Sequence, residues 1–279
     1  MAFKIAISLS LAVIMMLSSG KPVDFPNDLE RWYVTIPPEE GSDQLLAARV
    51  DVEHEWVVTP GKKAPQVGIR GRQQESSPSL PFTIKPGPSK EGLTGRRTAA
   101  KIDDGWIVGF DAGEFGAGLW WFSPDGKERY KISDDHILNF IATTSGLIAI
   151  EGLEHGTISK GKAIRLSRNE QGHWFAEPLI EFGEAPQVVL KDGDHTILVV
   201  TSKRLLRVNF SSKKVDILLD KAFWSGLYPN SIVITPSGTI FIGMRHGIAK
   251  IEKKNDGYSP SWLLPTKQFA NESFIEGFK

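Results

Sequence analysis

The chain has 279 residues, 41% of them hydrophobic, and its 33 basic and 33 acidic residues give a formal net charge of zero. This length and apolar content are enough to bury a sizeable core as one domain. The balanced charge argues against nucleic acid as a partner, because proteins that bind it carry a basic stripe. The absence of cysteine excludes disulfides, thiolate catalysis and a thiolate-held iron–sulfur cluster.

The N-terminus has the features of a secretory signal peptide. Lys4 supplies a positive charge, Ile5–Leu17 is an apolar run, and the small residues Ser18 and Gly20 follow. We predict a signal peptide over residues 1–20. A retained anchor is the alternative, but a spanning helix needs about 20 apolar residues. Export without disulfides indicates a bacterial periplasm or the medium, with no transmembrane segment after cleavage.

A lead-in rich in proline and acidic residues follows at 21–43. Two apolar runs near its end, Trp32–Ile36 and Leu45–Val52, are predicted to be strands. They belong to no repeat. We expect them to complete a unit that the other end of the chain begins, or to form an extra, irregular one.

A repeat organises residues 44–266. Its copies align on a turn glycine that follows Asp, Ser or Pro, because only glycine takes a positive φ without a steric cost. The turn glycines, at intervals of 44, 41, 47 and 45 residues, are Gly61, Gly105, Gly146, Gly193 and Gly238.

Apolar runs suited to strands flank these turns and extend beyond them. Third strands of the units are predicted at Gly118–Phe122, Ala163–Leu166, Leu205–Phe210 and Gly247–Ile251. Outer strands are predicted at Glu128–Ile132, Trp174–Ile180, Val215–Leu219 and Ser261–Leu264. Four strands per unit at this period predict an all-β propeller of about five four-stranded blades, or six if the termini add one, closed by the N- and C-terminal segments.

Two segments lie outside this pattern. Residues 71–97, rich in Ser, Pro, Gly and Gln, are predicted to form a long exposed loop around one short strand, Phe82–Ile84. Residues 267–279 are predicted to be a loosely packed tail.

The segment Ser231–Glu252 resembles the repeat of two-component-regulator propellers and related bacterial propeller families. Its apolar strand, Ser-Gly turn, second strand ending in Ile-Gly, hairpin and third strand follow the family pattern. The matching positions are Gly238, Ile242, Gly243, Gly247 and Ile248. This resemblance implies blade geometry, which unrelated functions share.

In such a fold, the loops between second and third strands and those between blades share one face, here called the loop face. We predict that ligand-binding residues gather there, in a mixed acidic, histidine and aromatic rim suited to a sugar, a peptide or a protein. They are Asp111, Glu114, Phe115, Asp134, Asp135, His136, Glu154, His155, Trp224, Tyr228, Asn230, Arg245 and His246.

Several of these patterns have two interpretations. Asp134–His136 is either a metal or general-base cluster or a solvated turn, and Glu154–His155 is either a proton-transfer pair or a hairpin tip. Trp120 and Trp121 suggest sugar stacking, but strand neighbours point to opposite faces, so at least one should lie in the core. Trp224 follows in a predicted loop, where we expect its ring to be exposed.

The pair Pro229–Asn230 resembles a segment of calcium-dependent lactonases of the gluconolactonase and regucalcin type. In that family an asparagine at this place binds the central metal, which makes Asn230 the one metal candidate here. The acidic residues that accompany it in the family have no match in this sequence, although calcium needs several oxygen ligands.

The sequence therefore favours an exported, non-catalytic binding domain, without a cofactor, that holds a protein or cell-envelope ligand on its loop face. The alternative is a metal-dependent hydrolase or lactonase acting on a sugar-derived substrate, with calcium as its metal. Its candidate residues are Asp111, Glu114, Asp135, His136 and Asn230. An enzyme should gather these carboxylates and perturb at least one pKa, whereas a binding domain should present an exposed rim.

Overall fold

A computed structural model describes residue 25 and residues 27–70, 79–85 and 91–271. The predicted signal peptide lies outside the described residues, as does most of the predicted tail. The described part is almost entirely β-structure, with one α-helix and short 3-10 turns. None of its helices is long and apolar enough to cross a membrane.

Nineteen strands and one α-helix make up the regular structure of this part. The helix α1 spans Asp43–Val50. The strands are β1 (Tyr33–Thr35), β2 (Trp56–Thr59), β3 (Gln66–Ile69), β4 (Arg96–Ile102), β5 (Gly105–Asp111), β6 (Ala117–Phe122), β7 (Arg129–Ser133), β8 (Ile137–Thr143), β9 (Gly146–His155), β10 (Ile158–Arg168), β11 (Trp174–Glu181), β12 (Pro186–Lys191), β13 (Thr196–Thr201), β14 (Leu205–Asn209), β15 (Lys214–Leu219), β16 (Ser231–Ile234), β17 (Ile240–Gly243), β18 (Ile248–Lys254) and β19 (Gly257–Leu264).

The strands form antiparallel sheets in chain order. Three sheets have four strands each, β4–β7, β8–β11 and β12–β15. The sheet β16–β19 gains a fifth strand, because β1 pairs with β19 and places Tyr33 opposite Leu264. The first repeat differs from its prediction, since β2 and β3 form a two-stranded sheet within the described residues. The N-terminal segment thus extends the last sheet.

The predicted strand Leu45–Val52 is wrong, because this run lies mostly in the helix α1. The hydroxyl of Ser42 caps that helix by accepting a hydrogen bond of 3.3 Å from the backbone N–H of Leu45. Leucine, alanine and arginine, which favour helices, outweigh the single valine within the helix. Leu45 and Ala48 share one helix face and are fully buried, so the helix closes over the core.

Each full sheet packs on both of its faces, which explains why its strands are apolar on both sides. In β13, Ile197 and Val199 contact the sheet β8–β11, whereas Leu198 and Val200 contact the sheet β16–β19. Successive strand residues point to opposite faces, so an uninterrupted apolar run serves two neighbours at once. The sheets therefore stack face to face in chain order.

This stack is compatible with a propeller. Contacts between first strands run from β4 to β8, from β8 to β12 and from β12 to β16, and β16 in turn contacts β2. Within the described residues, no comparable packing joins the sheet β2–β3 to the sheet β4–β7. The sheets therefore do not close into a ring.

Another segment covers the sheet β4–β7 on its open side. Ile84 and Leu93 are buried there against an apolar cluster of that sheet, and the ring of Phe82 lies 5.5 Å from the ring of Phe122. In the described residues 79–85 and 91–97, the expected exposure is wrong at Ile84 and Leu93, and no strand forms at Phe82–Ile84. Residues 71–78 and 86–90 of the predicted loop lie outside the described residues. The free face of the sheet needs an apolar cover, which this segment supplies.

We predict that Ile84→Ala lowers the free energy of unfolding by about 2–5 kcal/mol, because it removes buried methyl groups and leaves a cavity. The exposed neighbour provides a matched control, and Thr83→Ala should change the stability by less than about 0.5 kcal/mol. Chemical denaturation of both variants measures the difference. Equal, small effects of the two substitutions would show that this segment does not cover the sheet.

Candidate functional site

The predicted site residues lie at one edge of the sheets. They occupy the β5–β6, β9–β10 and β17–β18 connections and the links from β7 to β8 and from β15 to β16. Antiparallel order brings these connections to the same edge and the glycine turns to the opposite one. The side chains nevertheless separate into distinct groups with different surroundings.

Asp111 and His136 form one of these groups. The Nδ1 atom of His136 lies 2.9 Å from the Oδ1 atom of Asp111, and Arg96 lies 3.3 Å from the other carboxylate oxygen. The backbone N–H of Gly113 donates a further bond of 3.0 Å to Asp111. Both side chains of the pair are largely buried. The pair joins the sheet β4–β7 to the sheet β8–β11 and orients the imidazole.

The two acidic neighbours of His136 face different partners. Asp134 is exposed and forms an ion pair with Lys131. Asp135 forms an ion pair with Lys162, whose Nζ atom lies 3.1 Å from its Oδ1 atom. The run Asp134–His136 is therefore not one convergent cluster.

Glu151 was not predicted from the sequence. It is 4% exposed, and its nearest charged partner is Lys162, whose Nζ atom lies 3.8 Å from Oε2. Burial raises the pKa of Glu151, and nearby Asp135 raises it further, against the lowering effect of Lys162. A lone acidic residue inside the apolar run Leu147–Leu153 was the signal in the sequence.

Burial has the opposite effect on the pKa of Lys162, because the charged form of a lysine is the protonated one. Burial lowers its pKa, but the hydrogen bond and charge of Asp135 and the charge of Glu151 outweigh burial, so that the pKa is raised overall. The ammonium therefore stays charged and holds the two carboxylates near each other.

Two polar contacts cross from sheet to sheet at the outer rim. The Nε2 atom of His155 lies 2.8 Å from Glu114, and both side chains are exposed. Gln187 donates a hydrogen bond to Glu154. The β9–β10 turn is thereby fixed to the loop before it and to the strand β12 after it.

His246 is buried, contrary to the expectation that it stands on an open rim. Its Nδ1 atom lies 2.8 Å from Asp51, whose other oxygen lies 2.9 Å from Nδ1 of His54. Burial acts to raise the pKa of Asp51, but the hydrogen bonds with His246 and His54 outweigh it and hold that pKa well below its usual range. This contact fixes the β17–β18 turn to the chain between α1 and β2.

Arg245, next to His246, supports an exposed aromatic ring. It donates to the backbone oxygen of Arg49 at 2.7 Å and to Glu55 at 3.2 Å. Its guanidinium carbon lies 4.6 Å from the centre of the Tyr228 ring. Tyr228 is 56% exposed and has a φ of +52°, a left-handed conformation that a bulky residue rarely adopts.

The expected exposure of Trp224 is wrong. Its ring is fully buried, and its Nε1 atom donates a bond of 2.8 Å to the backbone oxygen of Thr201. The ring fills the space between the sheets β12–β15 and β16–β19, where burial of a large aromatic is favourable. Trp120 is also buried, as the alternation of strand neighbours requires, and Trp121 stacks on Tyr130.

A pocket of about 530 Å³ opens on the loop face between the β9–β10 turn and the link from β15 to β16. Its size is within the range of ligand pockets, roughly 300–1,000 Å³. It brings together the predicted residues Glu154, His155, Trp224 and Tyr228. The lining is Glu154, His155, Gly156, Gln187, Ser202, Trp224, Ser225, Gly226, Tyr228 and Pro229. Sequence reasoning missed Gln187, Ser202 and Ser225.

A second cavity, of about 660 Å³, lies at the opposite edge, between the lead-in and the β16–β17 turn. It contains none of the predicted site residues. The loop-face pocket is the stronger candidate, because the exposed and conformationally strained Tyr228 lines it.

The residues around Asn230 do not fit a calcium site. Its Oδ1 atom accepts a hydrogen bond of 2.8 Å from the hydroxyl of Ser231, which takes up one of the two lone pairs of that oxygen. In the described part of the chain, no group of three or more His, Asp or Glu side chains is placed to hold a metal ion. Calcium prefers six to eight oxygen ligands, and this surrounding does not offer them.

Comparison with solved structures gives partial similarities to bacterial proteins. The extracellular domain of a protein described as a one-component system of B. thetaiotaomicron is 12% identical, with a TM-score of 0.40 over 58% of this chain and 21% of that one. An auxiliary nutrient binding protein of Bacteroides thetaiotaomicron is 10% identical, with a TM-score of 0.36 over 56% and 38% of the two chains. Virginiamycin B lyase of Staphylococcus aureus is 14% identical, with a TM-score of 0.36 over 58% and 53%.

The matched region spans 53% of the length of the virginiamycin B lyase and 21% of the length of the one-component-system protein. No protein-family model matches the chain, and no curated protein is significantly similar to it. The geometry of the loop face is therefore the basis on which a function can be proposed.

We predict that Asp51→Asn lowers the stability at pH 7 by about 3 kcal/mol, because it removes a largely buried carboxylate that hydrogen-bonds with His246 and His54. A carboxyl with a depressed pKa stabilises the fold above its ordinary pKa of 3.8, and this stabilisation is lost as the pH falls below that value. The difference from the wild type should therefore shrink at pH 3. Denaturation at the two pH values measures it, with the exposed Glu53→Gln as control; a deficit unchanged at pH 3 would contradict the assignment.

We predict that calcium does not stabilise the protein through Asn230, because the residues there do not form an oxygen cage. For each protein, the wild type and Asn230→Ala, the Tm measured with millimolar CaCl₂ should equal the Tm measured with EDTA. A rise in Tm with calcium that Asn230→Ala removes would overturn this conclusion and restore the metal-dependent alternative.

Proposed function

We propose that the protein is an exported, non-catalytic binding domain that holds its ligand in the loop-face pocket beside Tyr228. The observation that carries this proposal is the state of Tyr228. A left-handed backbone costs a non-glycine residue on the order of 1–3 kcal/mol, and such strain concentrates at binding and active sites. The guanidinium of Arg245 packs against the ring of Tyr228, and the residue remains largely exposed at the pocket.

The same proposal includes a propeller whose five sheets are its blades. The strand β1 then extends the last blade by a fifth strand, and the described residues 79–85 and 91–95, which pack on the open side of the sheet β4–β7, would face the sheet β2–β3. The face-to-face packing of consecutive sheets supports this reading. The rigid stack would hold the pocket loops in fixed positions.

The proposed location is the bacterial periplasm or the medium, and the proposed ligand is a protein or a component of the cell envelope. The N-terminal sequence supports export, with its basic residue, apolar run and small residues. The pocket has the size of a site for a small molecule or for a single protruding group of a larger ligand.

We predict that Tyr228→Gly abolishes binding of a cell-envelope fraction without loss of stability. Glycine adopts the left-handed backbone freely, so the relief of strain offsets the lost contact with Arg245, about 0.5–1 kcal/mol. Co-sedimentation with the envelope fraction, together with thermal unfolding, measures both effects. Tyr33→Ala, an exposed tyrosine on the edge strand β1, is the control and should bind like the wild type.

Two results would contradict the proposal. One is wild-type protein that does not bind the envelope fraction or any of its extracted proteins. The other is binding that Tyr228→Gly leaves intact, because the ligand would then lie elsewhere on the surface.

A second candidate function is a hydrolase that acts on a sugar-derived substrate by acid–base chemistry without a metal. The observation that favours it is the proximity of His136 to the buried Glu151. Ile137 pairs with Glu151, and the backbone N–H of Gly152 donates a bond of 2.9 Å to the oxygen of His136. Asp111 orients the imidazole, and burial raises the pKa of Glu151, which suits a proton donor.

This candidate predicts turnover of sugar lactones, esters or glycosides, and a loss of about 100-fold or more in kcat for Glu151→Gln, the effect typical of a removed acid–base group. Glu170→Gln, an exposed residue at the opposite edge, is the control. A wild-type protein that turns over none of these substrates in the presence of EDTA would exclude the candidate.

A further inference from the structure

We propose that the ligand of the loop-face pocket is a neutral carbohydrate, presented as a short oligosaccharide or as a terminal unit of an envelope glycan. This inference rests on the proposed binding function and specifies the chemistry of the ligand. Three features of the pocket lining lead to it: its free hydroxyl groups, its charge and the exposed aromatic ring.

The first feature is a set of hydroxyl groups without protein partners. Throughout residues 27–70, 79–85 and 91–271, no hydrogen bond engages the side chains of Ser202, Ser225 or Tyr228. Ser202 is only 9% exposed, although it lines the pocket. Polar groups that are nearly buried normally have partners, and this hydroxyl can find one in a ligand or in water in the pocket. Hydroxyls both donate and accept, as the hydroxyls of a sugar do.

The second feature is the charge of the lining. Among the described lining residues, Glu154 is the only acidic one and His155 the only one that can carry a positive charge, and His155 lies 2.8 Å from Glu114. The nearby arginines are also paired, Arg49 with Glu40 at 2.8 Å and Arg245 with Glu55 at 3.2 Å. Within the described residues, the pocket lining itself therefore contains no unpaired cation for an anionic ligand such as a phosphate or a uronic acid.

The carboxylate of Glu154 has a role that suits a sugar. It accepts a hydrogen bond from the amide of Gln187, so that a carboxylate and an amide stand side by side at the pocket wall. Such a pair offers acceptors and donors at neighbouring positions, which matches two adjacent hydroxyl groups on a sugar ring.

The third feature is the ring of Tyr228. Arg245 supports the ring, and 56% of the residue remains exposed at the pocket. The C–H face of a pyranose is apolar and flat, so stacking on this ring would remove apolar surface from water while the sugar hydroxyls reach the polar wall. A peptide would instead be held by a free strand edge or an apolar groove, and the lining supplies neither.

The test uses the purified protein and a cell-envelope fraction, either untreated or oxidised with periodate, which cleaves vicinal diols. We expect periodate to abolish co-sedimentation and treatment of the fraction with protease to leave it unchanged. A panel of neutral oligosaccharides, titrated by calorimetry, separates a soluble sugar from a polymeric glycan as the source. We expect at least a tenfold loss of affinity for Tyr228→Gly and for Glu154→Gln, whereas Tyr33→Ala should bind like the wild type.

The outcomes separate this inference from the proposed function. Binding that survives periodate, is lost after protease and still depends on Tyr228 would overturn the carbohydrate and leave a protein ligand. Binding that survives both treatments would overturn the carbohydrate as well. Absence of binding to the untreated fraction and to every oligosaccharide would overturn both the inference and the proposed function. Tyr228→Phe adds a check, because it keeps the stacking ring and removes only the hydroxyl, so its affinity should lie between those of the wild type and of Tyr228→Gly.

Discussion

The structure depends on one constraint: every full sheet is covered on both faces. A strand that lies between two other sheets has no side for polar residues, as β13 shows with Ile197 and Val199 on one face and Leu198 and Val200 on the other. Polar and charged groups are therefore displaced to the ends of the strands. Four of the five buried polar residues of the described chain, Glu151, Thr201, Ser202 and His246, lie near the loop face, and Ser123 lies in the β6–β7 turn at the opposite edge.

The loop face is held by side-chain contacts that run from one sheet to the next. Asp111 and His136 join the sheet β4–β7 to the sheet β8–β11. Glu154 and Gln187 join the sheet β8–β11 to the sheet β12–β15. Asp51 and His246 fix the turn that carries Arg245 beneath Tyr228. These contacts preorganise the pocket before a ligand arrives, which lowers the entropic cost of binding. The strain at Tyr228 is sustained by the surrounding structure.

The sequence revealed those features that depend on local pattern. The turn glycines and the apolar runs beside them located most strands of the repeats, because Gly105 and Gly238 adopt the positive φ that such a turn requires. Features that depend on contacts between residues far apart in the chain were not predicted from the sequence. The helix α1 and the cover at Ile84 depend on what a sheet face needs, and the burial of Trp224 depends on the fit of two sheets. The loops of the site were predictable, but their pairings were not, because those arise between sheets.

The ligand is proposed to bind at the loop face and not at the opposite edge. Hydrogen–deuterium exchange of the purified protein, with and without the cell-envelope fraction, distinguishes the two locations. We expect slower exchange in residues 154–156 and 224–229, and unchanged exchange in the turns at Gly146 and Gly238. Protection confined to those turns, or to the cavity between the lead-in and the β16–β17 turn, would contradict the proposed location.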